Sequence, residues 1–144
     1  MKIVTAIDFS TATEAVLKAT KLYAKRLNAE VFLIHVEPDA MLVPDLGNTA
    51  LDVAYETSVD DTVEHVRLNK DAKALTACGV KVTPVLCRGY AAEKIVKEAV
   101  KQKAELIIIG SHGHGVLHNV LIGSVGAAVL KKSKTPVMLI PIRE

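Results

Sequence analysis

Two short apolar runs, Val80-Lys-Val-Thr-Pro-Val-Leu86 and Leu106-Ile-Ile-Ile109, flank a stretch with helical periodicity. Both runs are rich in Val, Ile and Leu, which is typical of the buried strands of a parallel sheet. Between them, apolar residues follow the i, i+3, i+4, i+7, i+8 spacing of one helix face at Ala92, Ile95, Val96, Ala99 and Val100. The charged residues of the stretch are assigned to the other, polar face: Glu93, Lys94, Lys97, Glu98 and Lys101. This stretch therefore predicts one strand-helix-strand unit.

The same alternation extends outward in both directions. Further apolar runs predict strands at Ile3–Ile7, Val31–Val36 and Val137–Ile142. Three further stretches show a helical stripe of apolar residues. The first follows a capping-box spacing, Thr11…Glu14, and consists of Ala12, Ala15, Val16, Ala19, Tyr23 and Leu27. The second consists of Val59, Val63, Val66, Ala74 and Ala77, and the third of Leu121, Val125, Ala128 and Val129. We expect residues 1–144 to form a single α/β domain, a doubly wound, Rossmann-like open sheet of five parallel strands with four main helices on both faces.

Composition narrows the classes of function. The 144-residue chain has 18 Lys and Arg against 16 Asp and Glu, a formal charge of +2, far below the basic excess of a dedicated nucleic-acid binder. Its five aromatic residues are scattered, which argues against a platform for stacking bases. No window approaches the roughly 18 to 20 apolar residues of a membrane span, so we expect a cytoplasmic protein without membrane insertion. Cys78 and Cys87 are expected to be reduced, because the strand between them sets them about 25 Å apart.

Glycine is concentrated after the fourth predicted strand. Five of the eight glycines lie in the stretch Gly110-Ser-His-Gly-His-Gly-Val-Leu-His-Asn-Val-Leu-Ile-Gly-Ser-Val-Gly126. Glycine permits positive φ and a close approach to a ligand, and a loop that leads into a helix presents unpaired N–H groups to an anion. The stretch therefore predicts a phosphate site at the carboxyl ends of the strands. Tight turns, with a small residue where the last helix crosses the sheet, explain the glycines equally well.

The spacing Gly110-x2-Gly113-x9-Gly123-Ser124 resembles the nucleotide motif of ATP-binding universal stress proteins. The resemblance covers nearly the whole chain, since Ala6-Ile-Asp-Phe-Ser10 is similar to the first strand and aspartate of that family and Thr135-Pro-Val137 to the start of its last strand. It implies a sheet order of 3-2-1-4-5. It also implies an adenine nucleotide, ATP with Mg²⁺, as the cofactor, and a homodimer formed through the last strand, Pro136–Ile142.

The resemblance assigns roles residue by residue. Asp8 would bond the ribose, and backbone groups at Val36 would contact the adenine edge. The start of the last helix would hold phosphate, with the Ser124 hydroxyl beside a bound Mg²⁺. Ser10 is a ligand in this interpretation and a helix cap in the alternative one. The full set of expected nucleotide-binding residues is Asp8, Ser10, Val36, Gly110, Ser111, His112, Gly113, His114, Gly115, Gly123, Ser124 and Val125.

The sequence departs from the family pattern at two places near the expected phosphate. Phe9 replaces a small or aliphatic residue, and His118-Asn119 stand where Lys or Arg is common. Loop histidines, among them His112 and His114, are then the side chains that can offset phosphate charge, so ATP should bind more tightly near pH 6 than near pH 8. Their spacing with His118 also suits a metal site, but no nearby Cys, Asp or Glu completes a four-ligand shell.

Three functions remain open at this point. The sequence favours an ATP-binding stress or signalling module with an unidentified protein partner. A nucleotide-free dimeric interaction protein of the same fold is the alternative from another class. A slow ATPase is the third, although no motif places a Lys or Arg to stabilise a transferring phosphoryl group. We assign no catalytic residue and no dedicated metal ligand, and we interpret Lys131-Lys132-Ser133-Lys134 as cations that offset a helix dipole.

Overall fold

The sheet has five parallel strands in the order β3-β2-β1-β4-β5, as predicted. We describe the protein from a computed structural model, which covers residues 1–38, 62–111 and 122–141. The strands are β1 (Lys2–Ala6), β2 (Glu30–Glu37), β3 (Lys81–Arg88), β4 (Leu106–Gly110) and β5 (Val137–Ile140). The fold is therefore the predicted doubly wound α/β architecture.

Four helices cover the two faces of this sheet. They are α1 (Ala12–Arg26), α2 (Val63–Ala77), α3 (Ala91–Gln102) and α4 (Ser124–Lys132). Successive side chains of a strand point to opposite faces, so the core has two layers. On one side Ile3 packs with Val16 of α1 and Leu68 of α2; on the other, Val4 packs in a second cluster with Ile95 of α3 and Val129 of α4.

The α2 helix exists where the sequence predicts it, but it buries a different face. Val63 and Val66 belong to the predicted apolar stripe and are 68% and 63% exposed. The residues that α2 buries against the sheet are Leu68, Ala72 and Leu75. The predicted stripe was wrong because the stretch offers two apolar stripes, and the one with leucines places more apolar surface in the core.

The α3 helix buries a charged side chain that the sequence pattern places on its polar face. Ile95 and Ala99 are buried as predicted, but Glu98, assigned to the polar face, is only 6% exposed. Its carboxylate accepts a hydrogen bond from Gln102 Nε2 at 2.6 Å and pairs with Lys101 Nζ at 3.4 Å. Neighbours one turn along the helix therefore satisfy this buried carboxylate, as buried charges require.

A sharp turn joins β3 to α3 at Gly89. Its φ is +124°, a value that L side chains rarely adopt, so the position requires glycine. The Gly89 N–H donates to the Glu37 carbonyl at 2.9 Å, which ties the turn to the end of β2. The start of α3 is thereby fixed beside the carboxyl ends of the strands.

Both cysteines are free thiols and half-buried. Cys87 lies on β3 opposite Val36 of β2, and Cys78 follows α2. Within the described residues, no helix combines the length and the apolar character needed to cross a membrane.

Candidate functional site

A cavity of about 300 Å³ opens at the carboxyl ends of β1 and β4. This is where the sheet order reverses, since β1 leads to β2 on one side and β4 leads to β5 on the other. Ligands of doubly wound folds bind at such a crevice. The predicted site residues that line it are Asp8, Val36, Gly110, Ser111, Gly123, Ser124 and Val125. The structure thus brings together residues that are far apart in sequence.

Asp8 and Ser10 form one turn between β1 and α1. The Asp8 Oδ1 accepts hydrogen bonds from the Ser10 N–H at 3.0 Å and from the Ser10 hydroxyl at 2.6 Å. The Ser10 oxygen also accepts from the Ala12 N–H at 3.2 Å, whereas the predicted cap, Thr11, makes no side-chain cap bond. Asp8 lines the cavity and Ser10 does not. The geometry therefore favours the cap interpretation of Ser10, in which it also fixes the Asp8 carboxylate.

The start of α4 forms the opposite wall. Gly123 is its N-cap residue, and its N–H donates to the Ser111 carbonyl at 2.6 Å. The first helical bond joins Ala127 N to Gly123 O at 2.9 Å, so the N–H groups of Ser124 and Val125 precede the helical ladder. No side-chain cap bonds this terminus in the described structure. These amides and the helix dipole favour an anion at this wall.

The two glycines at the start of α4, Gly123 and Gly126, differ in why glycine is present. Gly123 does not use the positive φ that glycine permits: its φ is −66° and its ψ is 160°, which any residue adopts. Gly126, one turn into α4, is needed for close packing, because a Cβ there would lie 3.3 Å from the Ile122 Cγ2 and 3.4 Å from the Leu139 Cδ2. Its lack of a side chain lets α4 lie close to β5.

Small and apolar residues of two helices complete the cavity. Ala12 and Thr13 line it from α1, and Ala91 and Ile95 line it from α3. This wall is not predicted by the sequence, because small residues at the start of a helix look like ordinary core positions. The Thr13 Oγ1 is buried, and no described residue forms a hydrogen bond with it. A buried hydroxyl of this kind suits a polar group of a ligand.

The described part of the cavity has little charge. Asp8 is the only ionisable residue among the described residues that line it. The expected loop ligands His112, Gly113, His114 and Gly115 lie outside the described residues. Among the described residues, no group of three or more His, Cys, Asp or Glu side chains could hold a metal ion. In the described part, the positive potential offered to an anion comes from helix N-termini: that of α4, and those of α1 and α3, whose first residues also line the cavity.

Val36 contributes to an apolar part of the cavity lining. It is half-buried near the end of β2 and pairs with Cys87 of β3. Together with Ile34 and Ile95 it presents aliphatic surface to the cavity. The lining is therefore amphipathic, since it combines a carboxylate and helix-terminal amides with an apolar slot.

Two comparisons of the sequence give the family. The model of the universal stress protein family matches residues 1–141. The universal stress protein MJ0577 of Methanocaldococcus jannaschii is 32% identical over 151 residues, which is 96% of this chain and 93% of that protein. The match spans nearly the full length of both chains.

Solved structures agree with the sequence comparison. The structure of MJ0577 superposes with a TM-score of 0.77 at 29% identity, covering 99% of this chain and 96% of that one. A universal stress protein in complex with cAMP has a TM-score of 0.70 at 21% identity (98% of this chain, 96% of that one). A universal stress protein of Archaeoglobus fulgidus in complex with dAMP has a TM-score of 0.66 at 22% identity (97% of each chain). The chain belongs to the universal stress protein family.

Proposed function

We propose that the protein binds ATP in the cavity between β1 and β4 and acts as a dimeric, nucleotide-dependent stress or signalling module. One observation carries the proposal: a single cavity joins a carboxylate, Asp8, to the uncapped N-terminus of α4, with an apolar slot beside them. A nucleoside phosphate has a ribose, a phosphate chain and a flat base that correspond to these three features.

The proposed pose follows from the chemistry of each wall. The Asp8 carboxylate accepts hydrogen bonds from ribose hydroxyls, and the amides of Ser124 and Val125 donate to phosphate oxygens. The base lies in the slot beside Val36. Relatives of this fold that were solved with cAMP and dAMP support adenine as the base. The buried Thr13 hydroxyl is available to a further polar atom of the ligand.

The residues present fit a magnesium ion that arrives with the nucleotide. Mg²⁺ usually keeps several waters and binds substrate phosphates with one or two protein oxygens. The Ser124 hydroxyl and the Asp8 carboxylate both line the cavity and offer such oxygens. The ion would neutralise phosphate charge in a cavity whose described lining contains no Lys or Arg.

Titration calorimetry with adenosine, AMP and ATP, with and without Mg²⁺, tests this function. We expect micromolar-class ATP binding and an affinity that rises with the number of phosphates. Asp8→Ala should weaken all three ligands by about tenfold or more, because it removes a charged acceptor worth about 1.5–3 kcal/mol.

A matched control keeps this test specific. Glu105→Ala removes a carboxylate at the amino end of β4, away from the cavity, and should leave affinity unchanged. Absence of ATP binding by the wild-type protein at millimolar concentration contradicts the proposal and favours a nucleotide-free interaction protein. Phosphate release over hours in the same samples measures whether the bound ATP is slowly hydrolysed.

A further inference from the structure

Phe9 has a backbone conformation that its side chain disfavours. It follows Asp8 directly, and its φ is +58°, in the left-handed region that residues other than Gly, Asn and Asp rarely adopt. Residues in this region persist only where the surrounding structure holds them. The contacts that hold Phe9 therefore decide whether Asp8 keeps its place at the cavity.

Two side chains from other elements contact the Phe9 ring. The His35 imidazole of β2 lies with its centroid 4.4 Å from the ring centroid, at an interplanar angle of 43°. The Arg67 guanidinium carbon of α2 lies 4.4 Å from the same centroid, within cation–π range. Arg67 Nη2 also donates to the Phe9 carbonyl at 3.4 Å, so it contacts both the ring and the backbone.

His35 holds the residue on the other side of Asp8. Its Nδ1 lies 2.9 Å from the Ile7 carbonyl, which can only accept, so Nδ1 carries the proton. The imidazole is buried at the end of β2. The backbone is thus held at Ile7 by His35 and at Phe9 by Arg67, while Ser10 binds the Asp8 carboxylate between them.

We propose that Arg67 is a positioning residue for the nucleotide site: with His35 it clamps Phe9 in the left-handed conformation and so holds Asp8 against the cavity. The inference rests on the proposed function and extends it to α2. Arg67 and Phe9 do not line the cavity; both line a neighbouring groove between α1 and α2. Arg67 therefore acts on the ligand through Asp8.

Calorimetry of Arg67→Ala separates this role from direct attraction of phosphate. If Arg67 positions Asp8, adenosine and ATP should lose affinity equally, by about fivefold. A loss confined to ATP would overturn the proposal, because it would show that the guanidinium acts on the phosphates. Arg67→Lys keeps a cation that can reach the ring and should recover most of the affinity. Lys73→Ala removes another exposed cation of α2 and is the matched control.

A double-mutant cycle tests the route through Asp8. Glycine adopts positive φ without strain, so in a Phe9→Gly background the left-handed conformation no longer depends on the clamp. Arg67→Ala should then cost less than twofold, and the same should hold in an Asp8→Ala background. Full additivity in both backgrounds would refute the proposed route.

An NMR measurement on the ligand-free protein distinguishes failure of the clamp from failure of the proposed function. Positive φ gives Phe9 a strong NOE between its own amide and α protons. This NOE should persist in wild type and Arg67→Lys and weaken in Arg67→Ala, whether or not ATP binds. An unchanged NOE in Arg67→Ala overturns the clamp, whereas a weakened NOE in a protein that binds no nucleotide overturns only the proposed function.

Discussion

Left-handed backbone occurs at three non-glycine residues of the described chain, and each has a different status. Asn28 tolerates this conformation because asparagine is one of the few residues besides glycine that adopt it at low cost. Phe9 adopts it beside the candidate site, where neighbours contact it from two elements. Lys103 adopts it at the end of α3, where its side chain is exposed. The strained backbone therefore lies beside the candidate site at Phe9 and at a helix end at Lys103.

The strain at Lys103 predicts a stabilising substitution. Lys103→Gly should raise the free energy of unfolding by about 0.5–1 kcal/mol, because the relief of left-handed strain exceeds the entropic cost of glycine. Urea unfolding followed by circular dichroism measures this change. Lys97→Gly, at an exposed position inside α3, is the control and should lower stability by about 1 kcal/mol. Equal destabilisation by both variants would refute the argument.

Helix positions were easier to predict from the sequence than helix faces. The stripe of α3 predicted Ile95 and Ala99 correctly, because strong apolar residues alternate there with charged ones, but it was wrong at Val100, which is 68% exposed. In α2 the valines and the leucines give two stripes, and only contact with the sheet decides between them. Glu98 was placed on the wrong face for a related reason: it flanks the stripe, and the partners that permit its burial, Lys101 and Gln102, are visible only in the structure.

The packing of α3 on β3 predicts that the Cys87 thiol is alkylated slowly. Burial raises the pKa of this thiol above its usual 9.0, and the Glu98 carboxylate raises it further against the opposing effect of Lys94 and Lys101. The thiolate is the reactive species, so alkylation by iodoacetamide should be slow at pH 8 and should still accelerate above pH 9. Peptide mass spectrometry follows Cys87 separately from Cys78.

Removing one carboxylate tests the cause of this shift. Glu98→Gln removes a negative charge near the thiol, so the pKa of Cys87 should fall and its alkylation at pH 8 should quicken. Glu93→Gln is the control on the same helix, because Glu93 is exposed and pairs with Lys132 at 2.7 Å. Equal rates in the two variants would show that Glu98 has no effect on the thiol.

For the molecule as a whole, the topology of the sheet explains which parts of the candidate site could be predicted from the sequence. Asp8 and Ser124 line one cavity because β1 and β4 are neighbours. The strand-helix alternation predicts that the carboxyl ends of the strands share one edge of the sheet, and the family resemblance implies the order in which β1 and β4 are neighbours. The contribution of Arg67 could not be predicted in this way. Its contact with Phe9 depends on the rotation of α2 about its own axis. The apolar pattern of the sequence predicted that rotation incorrectly, since it indicated the wrong buried face.

The two edges of the sheet differ in a way that bears on assembly. The β3 edge carries Pro84, which lacks an N–H, and Lys81, which pairs with Glu30 at 3.0 Å. Proline and lysine are common protections of an edge against pairing. The β5 edge, Val137–Ile140, is wholly apolar and has neither protection. We therefore expect β5 to be the edge through which two copies pair about a two-fold axis.

Hydrogen bonding along β5 makes this dimer testable at one residue. The carbonyls of Pro136 and Ile140 accept from β4, and N–H groups alternate in direction along a strand, so the Leu139 N–H points to the open edge. Leu139→Pro removes that donor, while Leu139→Ala shortens the side chain and keeps it. Sedimentation at tens of micromolar should therefore show a dimer for wild type and Leu139→Ala, and a monomer for Leu139→Pro.

Circular dichroism must show that both variants are folded, because Leu139 also packs near Gly126 of α4. A Leu139→Pro protein that stays dimeric would place the interface elsewhere, since proline removes a donor from the middle of this short edge.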